Sequence, residues 1–275
     1  MTNREAIQEH YSFADFKSRI EQALEKAGIT STPVEWSKLA PLDQFHIRGL
    51  VASKELAEAL GVQPDEKILD IGAGMGGPAR YLSAEFKCDV TGIELNETFV
   101  EVANLLTEKT GQTGHVKFIQ ADATKLPFAD DTFDHAWMQH VSMNIPEKTE
   151  LFASVCRVLK SKGRFALYEV LSGNGEELFY PVPWASNSHL SFLASETEMV
   201  AAIKSGGLTV VSFEDMSAEC LPWLENRESE QTPSGPPVIS LGNAIGAGFK
   251  EMVGNVIRNL RANRIRVCQI IAQKP

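Results

Sequence analysis

Cysteine is scarce: the 275 residues hold four, and none forms a C-x-x-C pair. Cys88, Cys156, Cys220 and Cys268 are spaced too widely for a zinc site or a disulfide framework, so no metal is expected. Reduced thiols of this kind suit the cytoplasm. No apolar run is long enough to cross a bilayer; the most apolar glycine-containing one, around Val238 to Phe249, is too short. The opening residues, Met1 to Tyr11, lack the apolar core of a signal peptide. Basic residues are in the minority, 26 Lys and Arg against 36 Asp and Glu, giving a formal net charge of −10. That balance argues against nucleic acid or an anionic membrane as the main partner. Internal repeats and low-complexity segments are lacking as well.

What stands out is one stretch, Lys67-Ile-Leu-Asp-Ile-Gly-Ala-Gly-Met-Gly-Gly-Pro-Ala-Arg80. Ile68, Leu69 and Ile71 supply the apolar run of a buried parallel strand. Gly72, Gly74, Gly76 and Gly77 follow, allowing a sharp turn and close approach of a ligand to the backbone. A helix beginning near Gly77 then presents free N–H groups to that ligand. The stretch reads as a nucleotide-type cofactor cradle at the carboxyl end of a strand. Gly72, Gly74 and Gly77 also satisfy the dinucleotide pattern G-x-G-x-x-G, so the glycines do not choose the cofactor. Asp70 does: a carboxylate before the first glycine is poorly placed for a pyrophosphate and suits a cofactor with a cationic amino-acid end, such as S-adenosylmethionine (SAM). The plainer reading of Asp70 is a strand-end aspartate capping the turn.

Before the cradle, residues 1–60 read as helical. Phe13, Phe16, Ile20, Leu24 and Ala27 recur at helical spacing with Gly28 as a stop, and Thr32-Pro33 reads as an N-cap with proline at the first helical position. Leu42-Asp-Gln-Phe-His-Ile-Arg-Gly49 leads into a helix ending at Gly61. Tyr11, Gln44 and His46 are the polar candidates of this prelude.

After the cradle, strands and helices alternate, which implies a parallel sheet. A second strand, Asp89–Ile93, ends in Glu94, about 20 residues past the glycines, where an acid commonly bonds ribose hydroxyls. Asn96 caps a helix with Phe99, Val102, Ala103 and Leu106 on one face. A third strand, His115–Gln120, runs into Asp122, whose carboxylate could accept an adenine amino group. A fourth strand lies near Phe133–Met138; Leu159-Lys-Ser-Lys-Gly163 reads as a helix end, with a fifth strand over Arg164–Val170. Residues 171–194 form a long loop of the kind that often lids a site. Ser195-Glu-Thr-Glu198 is a capping box, opening a helix to Gly206, and Leu208–Phe213 is a strand. Residues 215–262 look like an insertion with a Pro-rich loop at 232–237 and a helix from about Leu241. Arg264–Ala272 alternates as a last strand, parallel or antiparallel.

Asp-Ile-Gly-Ala-Gly-Met-Gly-Gly, the Glu94 strand end, Gln-Ala-Asp-Ala, Leu-Pro-Phe-Ala-Asp-Asp-Thr-Phe-Asp and Leu-Lys-Ser-Lys-Gly-Arg together resemble the seven-stranded (class I) SAM-dependent methyltransferases over residues 64–214. The nearest in character are the sarcosine/dimethylglycine N-methyltransferases and the ubiquinone/menaquinone C-methyltransferases. Gln44-Phe-His46 and Pro181-Val-Pro-Trp184 resemble the former. The resemblance implies a three-layer, Rossmann-like α/β fold, mostly parallel with an antiparallel last strand and a helical N-terminal extension. It divides the chain into a cap, 1–60, and a methyltransferase domain, 61–275, with insertions at 171–194 and 215–262. It implies that Asp70, Gly72, Gly74 and Gly76 line the methionine part of SAM, with Gln139 near that end and Gln44 a further cofactor-binding candidate. Glu94 would hold the ribose, Leu95 would lie against the adenine, and Asp122 with Ala123 would take the adenine amino group.

Relatives often carry a histidine where this chain has Ser142-Met143-Asn144; here the nearby one is His140. His140, His46 and Tyr11 are the candidate bases, Asn144 and Trp184 the candidate acceptor contacts, and Trp184 and Trp137 could face a cationic amine. The expected activity is methyl transfer from SAM to a small molecule, with a glycine- or sarcosine-type amine favoured over a quinol-type carbon or hydroxyl. The expected protein inserts in no membrane and binds no nucleic acid, with a homodimer left open. The competing readings are an NAD(P)-dependent oxidoreductase and a non-catalytic SAM-binding protein.

Overall fold

The computed structural model describes all residues except 1, 14, 31, 230–238, 241, 243–244 and 247. Seven strands form one sheet: β1 (Lys67–Ile71), β2 (Asp89–Glu94), β3 (Val116–Gln120), β4 (Phe133–Gln139), β5 (Leu159–Ser172), β6 (Thr209–Asp215) and β7 (Ile265–Gln273), in the order β3-β2-β1-β4-β5-β7-β6. The first five run parallel, and β7 lies antiparallel between β5 and β6. The antiparallel last strand expected from the resemblance is therefore present.

The helices are α1 (Asn3–His10), α2 (Phe16–Lys26), α3 (Ala40–Asp43), α4 (Gly49–Leu60), α5 (Gly77–Phe86), α6 (Glu97–Lys109), α7 (Lys148–Val158), α8 (Glu196–Ser205), α9 (Ser217–Ser229) and α10 (Phe249–Arg261). Side-chain alternation along the strands splits the core into two layers. Ile68, Trp137 and Tyr168 face α4, α5, α9 and α10, while Leu69, Met138 and Leu167 face α7 and α8. A third cluster joins Phe16, Ile20 and Leu24 of α2 to Phe99, Val102 and Leu106 of α6, fastening the N-terminal helices to the sheet.

Two local expectations fail, and a third falls largely outside the described residues. Thr32 and Pro33 start no helix; they lie in a bend, Val34 donates its N–H to Lys109 O, and the next regular turn is 3₁₀ at Trp36–Leu39. Residues 159–163 do not end a helix. α7 stops at Val158, and Leu159 already pairs with Phe133 in the sheet. Residues 217–229 form α9 despite Pro222, and the Pro-rich loop at 232–237 and the helix start at Leu241 fall outside the described residues. Among the described residues no helix is long and apolar enough to cross a membrane.

Candidate active site

The sheet order reverses direction between β1 and β4, and ligands of open α/β sheets bind at the carboxyl edge of such a point. A cavity of about 1230 Å³ opens there, lined by residues from the ends of β1, β2, β3 and β4 and from the N-terminal helices. The glycine turn forms its floor. Gly76 N–H donates to Ala73 O at 2.8 Å and Ala73 N–H to Ile93 O at 3.0 Å, tying the turn to β2. Gly74 has φ +52°, and a Cβ built there meets nothing within 4 Å, so this position opens toward the cavity. At Gly72, φ +65°, a Cβ would instead run into the Val141 side chain from the loop after β4.

Asp70 lies at the end of β1, 2 % exposed, and its Oδ2 is buried without a hydrogen-bond partner. Burial pushes its carboxyl well above the usual range, the Glu94 charge adds to this, and Arg80 opposes it. Glu94 accepts backbone N–H bonds from Gly74 at 3.0 Å, Leu95 at 2.8 Å and Asn96 at 3.1 Å. Burial nonetheless raises its carboxyl. A carboxylate has about four lone-pair positions, so room for one further donor remains. Asp122 holds Thr124 N–H at 2.9 Å and Thr124 Oγ1–H at 2.8 Å through Oδ1, and pairs with Arg4 of α1 through Oδ2 at 2.7 Å. An adenine amino group at Asp122 would have to share this carboxylate with Arg4. Leu95 and Ala123 line the same end, and Leu95 O accepts from Gln8 of α1 at 3.0 Å.

Gln44 and Gln139 meet in one buried network. Ser53, in the middle of α4 and fully buried, donates to Gln44 Oε1 at 2.8 Å and lies 3.4 Å from Gln139 Oε1. Trp137 Nε1–H donates to Gln139 Oε1 at 3.0 Å. With both oxygens held, both Nε2 groups are buried without a partner beside the cavity. Ser53 was not among the sequence candidates, because a lone serine inside an amphipathic helix carries no chemical signal.

The three candidate bases line the cavity with most of their polar atoms occupied. His140, at φ +55°, stacks on Tyr168 with ring centroids 5.2 Å apart. Its Nδ1 lies 2.9 Å from Tyr168 O, and its Nε2 lies 3.2 Å from the Ile47 N–H. The carbonyl demands a donor and the N–H an acceptor, which fixes a neutral, Nδ1-protonated ring. Both nitrogens are thereby committed to backbone. Burial pushes His140 down to about 4. His46 donates from Nε2 to Gly49 O at 2.9 Å, and burial, helped by His140, pushes it down to about 3. Tyr11 donates its hydroxyl to Asn144 Oδ1 at 3.0 Å, and burial raises its pKa.

The expected acceptor contacts serve the walls. Asn144 donates to Trp184 O at 2.8 Å and Leu190 O at 3.1 Å, clipping the 181–191 segment to the end of β4. Trp184 is 2 % exposed with its Nε1–H on Ser191 Oγ at 3.0 Å. Trp137 is fully buried beneath the cavity floor and is not among the lining residues. Glu169, fully buried on β5, accepts from Val141 N–H, Ser142 N–H and Ser142 Oγ–H and sets the loop after β4; burial raises it to about 7.

Residues 69–167 match the family model described as a methyltransferase domain. Methyltransferase phqN of Penicillium fellutanum is 29 % identical over 176 residues, 61 % of this chain and 54 % of that protein. Sterol 24-C-methyltransferase ERG6B of Gibberella zeae is 30 % identical over 184 residues, 64 % of this chain and 48 % of that protein. The chain thus spans about half the length of these curated relatives. Among solved structures, geranyl diphosphate C-methyltransferase from Streptomyces coelicolor A3(2), in complex with Mg2+, geranyl-S-thiolodiphosphate and S-adenosyl-L-homocysteine, superposes with a TM-score of 0.72 at 19 % identity, covering 100 % of this chain and 99 % of that one. That likeness concerns the fold. With a match to a methyltransferase domain over residues 69–167 and this sheet around it, the chain carries a methyltransferase-like domain and is similar in fold to the seven-stranded class I methyltransferases.

Proposed function

We propose that the chain binds SAM in the glycine cradle and transfers its methyl group to a small-molecule acceptor. The carrying observation is Asp70: a buried carboxylate oxygen without a partner, beside a turn open at Gly74. A buried charge without a counter-charge is costly, and a cationic ligand removes that cost. The ammonium of an amino-acid end supplies such a charge, and the two unpartnered amide groups of Gln44 and Gln139 suit the carboxylate of the same end. A pyrophosphate at this turn would bring negative charge against Asp70 and Glu94, which disfavours the dinucleotide reading. Glu94, with one lone pair to spare, suits a ribose hydroxyl, and Asp122 an adenine amino group.

When bound, SAM supplies an electrophilic methyl on a sulfonium, which leaves with the C–S bond pair returning to sulfur while the acceptor's electron pair forms the new bond. The protein's part is largely to hold that alignment and exclude water. None of the three candidate bases offers a strong free base: His140 has no nitrogen to spare, His46 titrates far below neutrality, and Tyr11 is a donor to Asn144. This favours an acceptor atom that reacts without prior loss of a proton, with His140 and Tyr11 as positioning residues. A glycine- or sarcosine-type amine would also bring a carboxylate. Of the cations lining the cavity, Arg4 pairs with Asp122, Arg48 pairs with Glu55, and Lys250 is exposed.

Calorimetry with SAM and with NADH tests the cofactor. SAM is expected to bind and NADH to fail; the reverse would overturn the reading. Release of S-adenosylhomocysteine (SAH) across an acceptor panel tests turnover, and SAM retention without release would leave a SAM-binding protein.

A further inference from the structure

The cavity is larger than one ligand needs. At about 1230 Å³ it exceeds the roughly 300–1,000 Å³ of a site for one drug-sized molecule. Its lining also changes character. The acids and amides described above lie around the glycine turn, whereas Phe45, Leu50, Trp223, Phe249, Val253 and Val256 also wall the cavity. These six come from three places far apart in sequence: the start of α4, α9 and α10. Phe249, Val253 and Val256 follow at i, i+4 and i+7, so one stripe of α10 faces the cavity. The Phe45 and Phe249 rings lie 6.5 Å apart at 58°. Trp223 closes on the start of α4, where a Cβ built at Gly49 would lie 4.0 Å from its ring. Val256 is buried, but the other five are only half-buried and keep apolar surface facing the cavity. Such surface gains from excluding water, roughly in proportion to the apolar area covered.

We infer that the acceptor carries an extended apolar body, a terpenoid-like chain or a fused-ring skeleton, seated between the start of α4, α9 and α10. This deepens the methyl-transfer reading and rests on it. A glycine- or sarcosine-type amine has no such body and would leave this wall against water. The reactive atom then belongs at the end of the body nearer the glycine turn, and the apolar wall sets which molecules enter.

The test uses the full chain. SAH is first titrated by calorimetry. Farnesol, as a chain, estradiol, as fused rings, and sarcosine are then each titrated into SAH-loaded protein. Saturable binding of farnesol or estradiol, with none by sarcosine, is the expected result, and the better of the two tells chain from ring. Phe249→Ala is expected to weaken that binding about tenfold, the worth of one aromatic contact face. The nearly isosteric Val253→Thr keeps the fold and should weaken it about threefold. Neither change should alter SAH affinity. If SAH binds while both apolar probes fail, or if sarcosine saturates the protein, the inference is overturned. If SAH itself fails to bind, the methyl-transfer reading falls first and takes this inference with it.

Discussion

Arg80 reaches from α5, behind the glycine turn, to Asp43 of α3, with Nη2 2.8 Å from Oδ2 and both side chains at most 3 % exposed. The same guanidinium donates to Met75 O at 2.6 Å, Ala103 O at 3.1 Å and Thr107 Oγ1 at 3.0 Å. One side chain thus joins the N-terminal helices, the glycine turn and α6. Gly77 is glycine for the same reason, since a Cβ there would strike the Asp43 backbone carbonyl. Removing one partner of a buried pair strands the other charge. Arg80→Met should therefore cost about 3–5 kcal/mol in urea unfolding. The double variant Arg80→Met with Asp43→Leu should recover part of that loss.

Asp70 trades stability for binding. Its carboxyl sits above its ordinary value near 3.8, so the folded state holds this proton more tightly than the unfolded state. Its contribution to stability is fully present below that ordinary value and is lost as pH rises through the higher folded-state value. At neutral pH the group therefore weighs against the apoprotein. Asp70→Asn should melt higher without ligand, by about 2–4 °C for each kcal/mol relieved. The same variant should bind SAM about 10–100-fold more weakly, the worth of a charged hydrogen bond. Thermal melts and calorimetry on one preparation check both signs.

His140 acts in the opposite sense. A histidine held down to about 4 stabilises the fold above its ordinary value of 6.5, and that contribution is lost as pH falls toward 4. The proton would arrive at Nε2 and break the bond to Ile47 N–H, loosening the segment that carries Gln44 and His46. His46 follows the same direction at lower pH, whereas Glu169, raised to about 7, gains a proton in the folded state and offsets part of the loss. The comparison that isolates His140 is with His140→Asn. The melting-temperature advantage of the parent over the variant should shrink steadily from pH 6.5 to pH 4.

Arg4 occupies Asp122, the carboxylate proposed for the adenine amino group. The pair is exposed on the Arg4 side, at 43 %, so its loss should cost no more than about 1 kcal/mol of stability. Gln8 on Leu95 O and Tyr11 on Asn144 still hold α1. Arg4→Ala should free the carboxylate and tighten SAM up to about fivefold, the affinity equivalent of that energy. Weaker binding in this variant would instead place Arg4 in contact with the cofactor.

Much of the sheet, and the gathering of Asp70, Glu94 and Asp122 at one cavity, could be read from the sequence because each depends on neighbours in the chain. The glycines follow β1 directly, Glu94 closes β2, and Asp122 follows β3, so strand periodicity alone sets Asp70, Glu94 and Asp122 on one edge. Residues whose roles arise from distant meetings left no such trace. Ser53 matters through Gln139, 86 positions away, and Arg80 resembles any helix-surface arginine until Asp43 covers it. Residues 159–163 read as a helix end because the lysines and glycine are typical of one, but pairing with β4 decides otherwise. Gly163 fits there because a Cβ would lie 2.7 Å from Asp134 O. Trp184 does line the cavity, but the Ser191 hydroxyl that holds its indole N–H left no mark in the local pattern.

The placing of β7 between β5 and β6 has a consequence for synthesis on the ribosome. Among the described residues β6 pairs in the sheet with β7 alone, and β7 joins it to β5 across the register Arg164–Ser172. Until residues 265–273 leave the exit tunnel, β5 presents a bare edge and β6 has no strand to pair with. The nascent chain therefore carries a half-built, adhesive sheet until β7 emerges, and loss of residues 265–273 would unseat two strands rather than one.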